Sequence, residues 1–162
     1  EVGSRGLGDV YKRQISTIFF PRVSFLSTFL FPYKLLYSAA KKIINPDLTE
    51  KQKDIMFNEA TERPYSSPLN HEKRKGFFHC ANCGAKLFSS DAKFDSGTGW
   101  PSFTESLPGA FKTKIDYSLG MKRIEYHCAT CGVHHGHVFA DGLQKKRFCS
   151  NGLCLIFMTE IN

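Results

Sequence analysis

The sequence lacks an apolar run long enough to cross a bilayer. Val23 to Phe31 is a candidate, but Pro32 and Lys34 interrupt it, and a spanning helix needs about 20 apolar residues. No stable membrane span is expected. Acidic residues are also missing between Asp9 and Asp47, where Phe, Leu, Ser and Ile dominate and Arg22, Lys34, Lys41 and Lys42 are interspersed. An acid-poor, Ser-rich, basic stretch of this kind reads as a targeting leader. Ser38-Ala39-Ala40 supplies small residues for cleavage after Ala40. The leader implies an organellar (mitochondrion or plastid) or secretory destination; a membrane-surface anchor is the other reading. Residues 1–14 show neither helical nor strand period and read as a sequence scar. Residues 1–44 are therefore set aside, and 45–162 are expected to form the domain.

A cationic excess is missing from the body. The net charge is +7. Residues 1–48 hold seven Lys/Arg against three Asp/Glu, and residues 49–162 hold fifteen against twelve. Nucleic-acid binding needs clustered cations on the folded part, so no nucleic-acid partner is expected. The body also lacks low-complexity runs, and its only repeat is a pair of cysteine motifs.

What is present reads as a mainly β domain. Thr49 is a good helix N-cap, and Gln52 stands three residues on, as in a capping box. Leu48, Ile55, Met56 and Ala60 give an apolar stripe, with a stop expected at Arg63-Pro64. From Gly76 onward short apolar runs alternate with Gly, Pro, Asp and Ser breaks: Phe77–His79, Lys86–Phe88, Phe111–Ile115, Ile124–His127, His137–Phe139 and Leu153–Met158. Such spacing predicts an all-β sandwich or barrel, preceded by one short N-terminal helix.

Four of the six cysteines form two near copies, Cys80-Ala81-Asn82-Cys83-Gly84 and Cys128-Ala129-Thr130-Cys131-Gly132. Two C-x-x-C pairs complete a tetrahedral Cys₄ site for Zn²⁺, one per chain. Four sulfurs leave no open coordination position, so the site is structural. A redox pair or disulfides would not explain the duplication. Forty-four residues, 84–127, separate the motifs. The metal is thus expected to clip two distant hairpins rather than fold a small ribbon.

Three further features can carry chemistry. Cys149 follows Arg147 and Phe148 and precedes a polar turn and an apolar run. It is expected at the lip of that last strand, where the cation favours the reactive thiolate. It reads as a nucleophile or as a packed thiol. Trp100, the single tryptophan, stands between Gly99 and Pro101 and reads as core or as an aromatic binding wall. Val133-His134-His135-Gly136-His137 supplies general acids or buried structural histidines. Strand parity puts His135 and His137 on one face, but a bend at Gly136 would bring His134 to His137.

The order of these pieces resembles the type B methionine-R-sulfoxide reductase family. The shared motifs are Gly97-Thr-Gly-Trp100-Pro-Ser-Phe103, two C-x-x-C-G knuckles, His134-x-Gly-His137-Val-Phe and Arg147-Phe-Cys149-x-Asn151, preceded by Ala60-Thr-Glu-Arg-Pro-Tyr-Ser66. The likeness covers residues 46–162 and implies a mainly β fold, a twisted antiparallel β-barrel or two-sheet domain with a short N-terminal helix. It implies a thiol-dependent oxidoreductase acting on the R epimer of methionine sulfoxide, mainly in oxidised proteins, in protein repair under oxidative stress. It also implies roles. Cys149 would attack the sulfoxide sulfur, and His134 and His137 would hold and protonate the oxygen. Arg147 would help keep Cys149 ionised, Asn151 would join the polar network, and Trp100 would receive the S-methyl group. Cys149 would end as a sulfenic acid, regenerated by thioredoxin or another thiol.

The chain departs from the family pattern in three places. Thr98 stands where many members carry a resolving cysteine. His135 stands where leucine is common. The segment Ala140–Lys146 is shorter than usual. Cys154 is the only other thiol outside the metal site and is expected to be packing. A monomer is expected. The alternative function is a zinc-binding interaction module without catalysis, which leaves Cys149, Trp100 and the histidines unexplained.

Overall fold

The computed structural model describes residues 41–142 and 146–160. The scar and the leader up to Ala40 lie outside the described residues. No helix among the described residues is long and apolar enough to cross a membrane.

The one α-helix among the described residues, α1 (Glu50–Asn58), begins as its capping residues dictate. The Thr49 hydroxyl accepts the Gln52 amide at 3.2 Å, and the Gln52 side chain accepts the Thr49 amide at 3.0 Å. Ile55 and Met56 turn inward with Leu48. The helix ends earlier than Arg63-Pro64. Glu59 is its C-cap, in the left-handed region at φ 63°, and its carboxylate is held by Lys41 at 2.8 Å and Lys114 at 2.6 Å. The left-handed backbone at Glu59 turns the chain off the helix axis before proline is reached.

Among the described residues, nine strands make two antiparallel sheets. They are β1 (Gly76–Cys80), β2 (Lys86–Ser89), β3 (Lys93–Phe94), β4 (Ser102–Phe103), β5 (Phe111–Asp116), β6 (Arg123–Cys128), β7 (His134–Phe139), β8 (Arg147–Ser150) and β9 (Leu155–Thr159). One sheet runs β2-β1-β9, the other β3-β4-β8-β7-β6-β5. The two-sheet form of the expectation holds, and neither sheet closes into a barrel. The core is aromatic. Phe78 and Phe88 from the smaller sheet meet Phe103, Tyr126 and Phe148 from the larger. Phe88 stacks on Phe103 at 3.9 Å between centroids, and Phe78 meets the same ring edge-on at 5.0 Å. Such pairs add about 1 kcal/mol each beyond area burial.

One expectation about Cys149 is corrected. It does not sit at the lip of the final strand. Cys149 lies within β8, paired to Ser102 of β4 and His137 of β7, whereas the apolar run after Gly152 becomes β9 in the other sheet. A 3₁₀ turn, Gly152–Cys154, separates the two. The polar Ser150-Asn151-Gly152 break carries the chain from sheet to sheet, because buried partners satisfy its amides, as described below. The β7–β8 approach at this point is close. A Cβ built on Gly136 would lie 1.9 Å from the Cys149 carbonyl oxygen, so no other residue fits there without moving a strand.

Candidate active site

The two cysteine knuckles are built alike. In the first, the Gly84 amide donates to the Cys80 carbonyl and the Cys80 amide to the Ala85 carbonyl, both at 2.8 Å. In the second, Gly132 donates to Cys128 at 2.8 Å and Cys128 to Val133 at 2.9 Å. Gly84 and Gly132 take left-handed φ values of 72° and 74°, which explains a glycine after each second cysteine. The first knuckle joins β1 to β2 and the second joins β6 to β7, so the cluster bridges the two sheets. Its sulfurs all lie within 4.8 Å of one another. Cys80 and Cys131 are 3.7 Å apart, and Cys83 and Cys128 are 3.6 Å apart. Four sulfurs about 2.3 Å from one zinc ion would be separated by about 3.8 Å, so the residues fit a tetrahedral metal. Burial, against the Ala85 amide bond, pushes the Cys83 thiol up to about 12. Hydrogen bonds from Cys131 and Cys80 pull the Cys128 thiol down. So crowded a set ionises fully only around a cation.

Cys149 lies on the same sheet as the second knuckle. Cross-strand pairing puts Lys114, Glu125, His137, Cys149 and Ser102 in one row across β5, β6, β7, β8 and β4. Directly opposed residues share a face. Arg147 pairs with Phe139 two rows on, which returns it to the same face.

His134 joins this face by a device that simple parity does not show. The β6–β7 register shifts between Tyr126 and His127, so His127 opposes His134 while Tyr126 opposes Gly136. The irregularity leaves His135 out of the ladder and swings His134 round. The His134 and His137 rings come within 5.6 Å, centroid to centroid. The bend read at Gly136 thus occurs in effect, and His135 is the residue turned into the core.

Each site histidine rests on an acid. His134 Nδ1 is 2.8 Å from Glu125 Oε1, and its Nε2 is 3.4 Å from Asn151 Nδ2. His137 Nε2 is 2.9 Å from Asp116 Oδ2. Burial would raise both carboxyls. At Glu125 the bonds from His134 and Lys114 outweigh it, and at Asp116 those from Ser118, His137 and Arg123 do, so both are held low. Burial lowers His137, and Asp116 offsets part of that. The two histidines, Asp116, Arg123 and Glu125 line a cavity of about 190 Å³, closed on one side by Asn58, Glu59 and Thr61.

At Cys149, burial raises the thiol and wins over Arg147 and the Thr98 hydroxyl, which lower it. Arg147 therefore acts in the expected direction without deciding the outcome. Its guanidinium is shared. It forks onto Asp141 with two bonds of 2.9 Å and lies over the Phe139 ring at 4.6 Å. Cys154 is fully buried in the core, and its thiol is pushed up by that burial. The chain arrives there through the 3₁₀ turn, not along one continuous strand.

Trp100 is not brought to the histidine cavity. It lines a separate one of about 100 Å³ with Tyr65, Phe94 and Asp95. It stays tied to the Cys149 strand, because the next residue, Pro101, accepts the Ser150 amide at 2.9 Å.

Several residues of the site escaped the sequence reading. Glu62 is buried, and its carboxylate accepts the Gly152 amide at 2.5 Å and the Leu153 amide at 3.1 Å. Its backbone amide donates to Asn151 Oδ1 at 3.0 Å, and its carbonyl accepts the Trp100 indole at 3.1 Å. One residue thus ties the turn after Cys149 to Asn151 and Trp100. Asp116 and Glu125 were missed too. The available signal was their two-residue spacing from Lys114 and Arg123 on facing strands, which puts both ion pairs on one face.

His135 is fully buried against the edge of Phe111, 5.5 Å away, and neither ring nitrogen has a hydrogen-bond partner among the described residues. Burial lowers it from 6.5 to about 3. The native ring is neutral where the unfolded ring takes up a proton. Between about pH 6.5 and 3 the unfolded state therefore binds more protons, and stability falls as the pH falls, by at most about 1.4 kcal/mol per unit. His135→Leu is expected to flatten this acid slope, so that it gains about 2 kcal/mol on wild type between pH 8 and pH 5. Urea unfolding of both proteins at the two pH values measures it; equal slopes refute it.

A thiol sharing a sheet face with two acid-held histidines can attack a polar electrophile while a proton is delivered to it. That is the equipment of a thiol-dependent oxidoreductase, braced here by a four-cysteine cluster. Residues 48–159 match the SelR domain family. A protein of Methanosarcina barkeri named peptide methionine sulfoxide reductase MsrB is 46% identical over 74% of this chain and 84% of its own. Relatives of the same name from Methanosarcina mazei and Leifsonia xyli are 47% and 46% identical, covering 83% and 85% of their own lengths. The chain belongs to this family, the type B methionine sulfoxide reductases.

Proposed function

We propose that this chain reduces the R epimer of methionine sulfoxide in oxidised proteins, with Cys149 as nucleophile. The observation that carries the reading is the cross-strand pairing of His137 with Cys149, with His134 alongside. The Cys149 thiolate attacks the sulfoxide sulfur, and an S–S bond forms. His134 and His137 deliver protons to the sulfoxide oxygen, which leaves as water. Water then attacks the Cys149 sulfur, the S–S bond breaks, and methionine departs with the electron pair. Cys149 is left as a sulfenic acid, and one proton returns to the site. The net exchange moves one oxygen from substrate to enzyme: the substrate sulfur is reduced and Cys149 is oxidised. General acid help of this kind is worth about 10²–10⁴-fold.

Arg147 and Thr98 favour the attacking thiolate, Asn151 braces His134, and Trp100, apart from the histidines but on the loop whose Thr98 meets Cys149, supplies an aromatic wall for the methyl group. Cys80, Cys83, Cys128 and Cys131 hold one Zn²⁺, which supports the fold and takes no part in the reaction. A thioredoxin-type or small thiol reduces Cys149 directly, because position 98 is threonine and Cys154 is sealed in the core.

The test is turnover of peptides carrying each sulfoxide epimer, with dithiothreitol as reductant. The R peptide is expected to be consumed and the S peptide left. A single turnover without reductant is expected to add one oxygen atom at Cys149. Consumption of the S peptide, or a Cys149–Cys154 disulfide after one turnover, overturns the corresponding part of the reading.

A further inference from the structure

We propose that Asp116 and Glu125 are positioning residues of this site: each carboxylate holds one histidine ring in a fixed orientation, and each is itself held by a cation from the β5–β6 hairpin. The inference rests on the function proposed above. It follows from how the two rings are gripped. Glu125 takes His134 by Nδ1, which turns Nε2 toward Asn151. Asp116 takes His137 by the other nitrogen, Nε2. An imidazole held at one nitrogen has one tautomer and one usable face for a reacting group. Two rings 5.6 Å apart, gripped at different nitrogens, thus present different atoms to whatever enters between them.

The carboxylates are anchored in turn. Lys114 lies 3.1 Å from Glu125, and Arg123 lies 2.6 Å from Asp116. Each cation comes from the residue directly across the β5–β6 ladder, Lys114 facing Glu125 and Asp116 facing Arg123. Behind Lys114 stands Glu59, at the end of α1. These ion pairs alone would satisfy the hairpin. The histidine bonds are additional, and both carboxylates border the same cavity as the rings. The groups facing His137 are Asp116 from β5, Arg123 and Glu125 from β6, His134 from β7, and Cys149 from β8. Those facing His134 are Glu125, Asn151 and His137.

The variants are Asp116→Asn and Glu125→Gln, assayed on the R-sulfoxide peptide beside wild type. Each is expected to lose about 10- to 100-fold in kcat, with KM within about twofold, since transition-state proton delivery is harmed and ground-state binding is not. Long-range ¹H–¹⁵N spectra are expected to show the affected ring changing from one tautomer to a mixture. Asp116 supports the protonated form of His137, so the alkaline limb of kcat moves to lower pH in Asp116→Asn. Asp116→Glu and Glu125→Asp, which keep the charge but shift the carboxylate, are expected to recover part of kcat. If an amide variant fails to fold, its charge-keeping partner decides: a lowered kcat at unchanged KM supports the proposal, and a wild-type kcat overturns it. Wild-type kcat and tautomers in the folded amide variants also overturn it. A wild-type chain that turns over neither peptide refutes the proposed function instead, and the tautomer spectra alone then decide the positioning claim.

Discussion

Cys149→Ser is expected to lose more than about 10³-fold in methionine sulfoxide turnover while keeping the fold and the four-sulfur cluster. The two halves of this expectation have separate causes. Serine is nearly isosteric, and Cys149 sits in a strand whose ladder bonds are made by the backbone. Nothing in the β4–β8–β7 pairing asks for sulfur, so melting temperature and metal content stay close to wild type. Chemistry, in contrast, needs sulfur twice. A hydroxyl does not ionise near neutral pH, and a serine oxygen cannot accept the substrate's oxygen as a sulfenic acid does. The neighbouring cysteines cannot substitute. Four are committed to the cluster, and Cys154 is buried in the core. Steady-state assays beside metal analysis and thermal melts separate the two halves. Residual turnover within about tenfold of wild type would remove Cys149 from the mechanism. Loss of metal would move it into the scaffold.

How far the sequence carried this reading depended on whether the information was local. The cysteine knuckles were legible because a fixed spacing and a following glycine occur twice, and both knuckles form the same hydrogen-bonded turn. The capping box at Thr49 and Gln52 is equally local. Six strands announced themselves as apolar runs. β3 and β4 are two residues long, too short for any period to register, yet β4 is the direct neighbour of Cys149. The division of β8 from β9 was invisible for a different reason. One apolar run and one reactive motif sit side by side in the chain, and Glu62 and His135, both distant in sequence, accept amides of the turn between them. The shifted register at His127 likewise belongs to a pair of strands, not to either one. It decides which histidine faces Cys149, and single-strand parity gave the opposite grouping. Asp116 and Glu125 look in the sequence like ordinary solvated charges, and their partners are found only once β5, β6 and β7 are paired.

Removing the metal is expected to unfold the domain near room temperature. The cluster joins the β1–β2 turn of one sheet to the β6–β7 turn of the other, and its four sulfurs converge from positions that the unfolded chain holds far apart. Metal binding by such sites contributes on the order of 10 kcal/mol in favourable cases, against a total stability of about 5–15 kcal/mol for a domain of this kind. The aromatic core between the sheets offsets part of the loss, yet the packed rings of Phe78, Phe88 and Phe103 depend on the sheets already being opposed. Chelator-treated protein is therefore expected to show a steeply lowered melting temperature and a weakened near-ultraviolet signal, both restored by zinc. Cys83→Ser, at the half-buried cysteine of the cluster, is expected to behave like the chelated protein. The effect has a sign in pH. Every ligand must be deprotonated to bind, and burial pushes the Cys83 thiol up to about 12 in the metal-free cluster, so protons compete with the metal. Metal-linked stability is then greatest at alkaline pH and falls as the pH falls, as more protons must be displaced from the sulfurs. Melting the zinc-loaded and chelated proteins in parallel from pH 6 to pH 9 tests this. The gap between their melting temperatures is expected to widen with pH. A chelated protein that melts with the loaded one throughout would show that the aromatic core alone holds the sheets together.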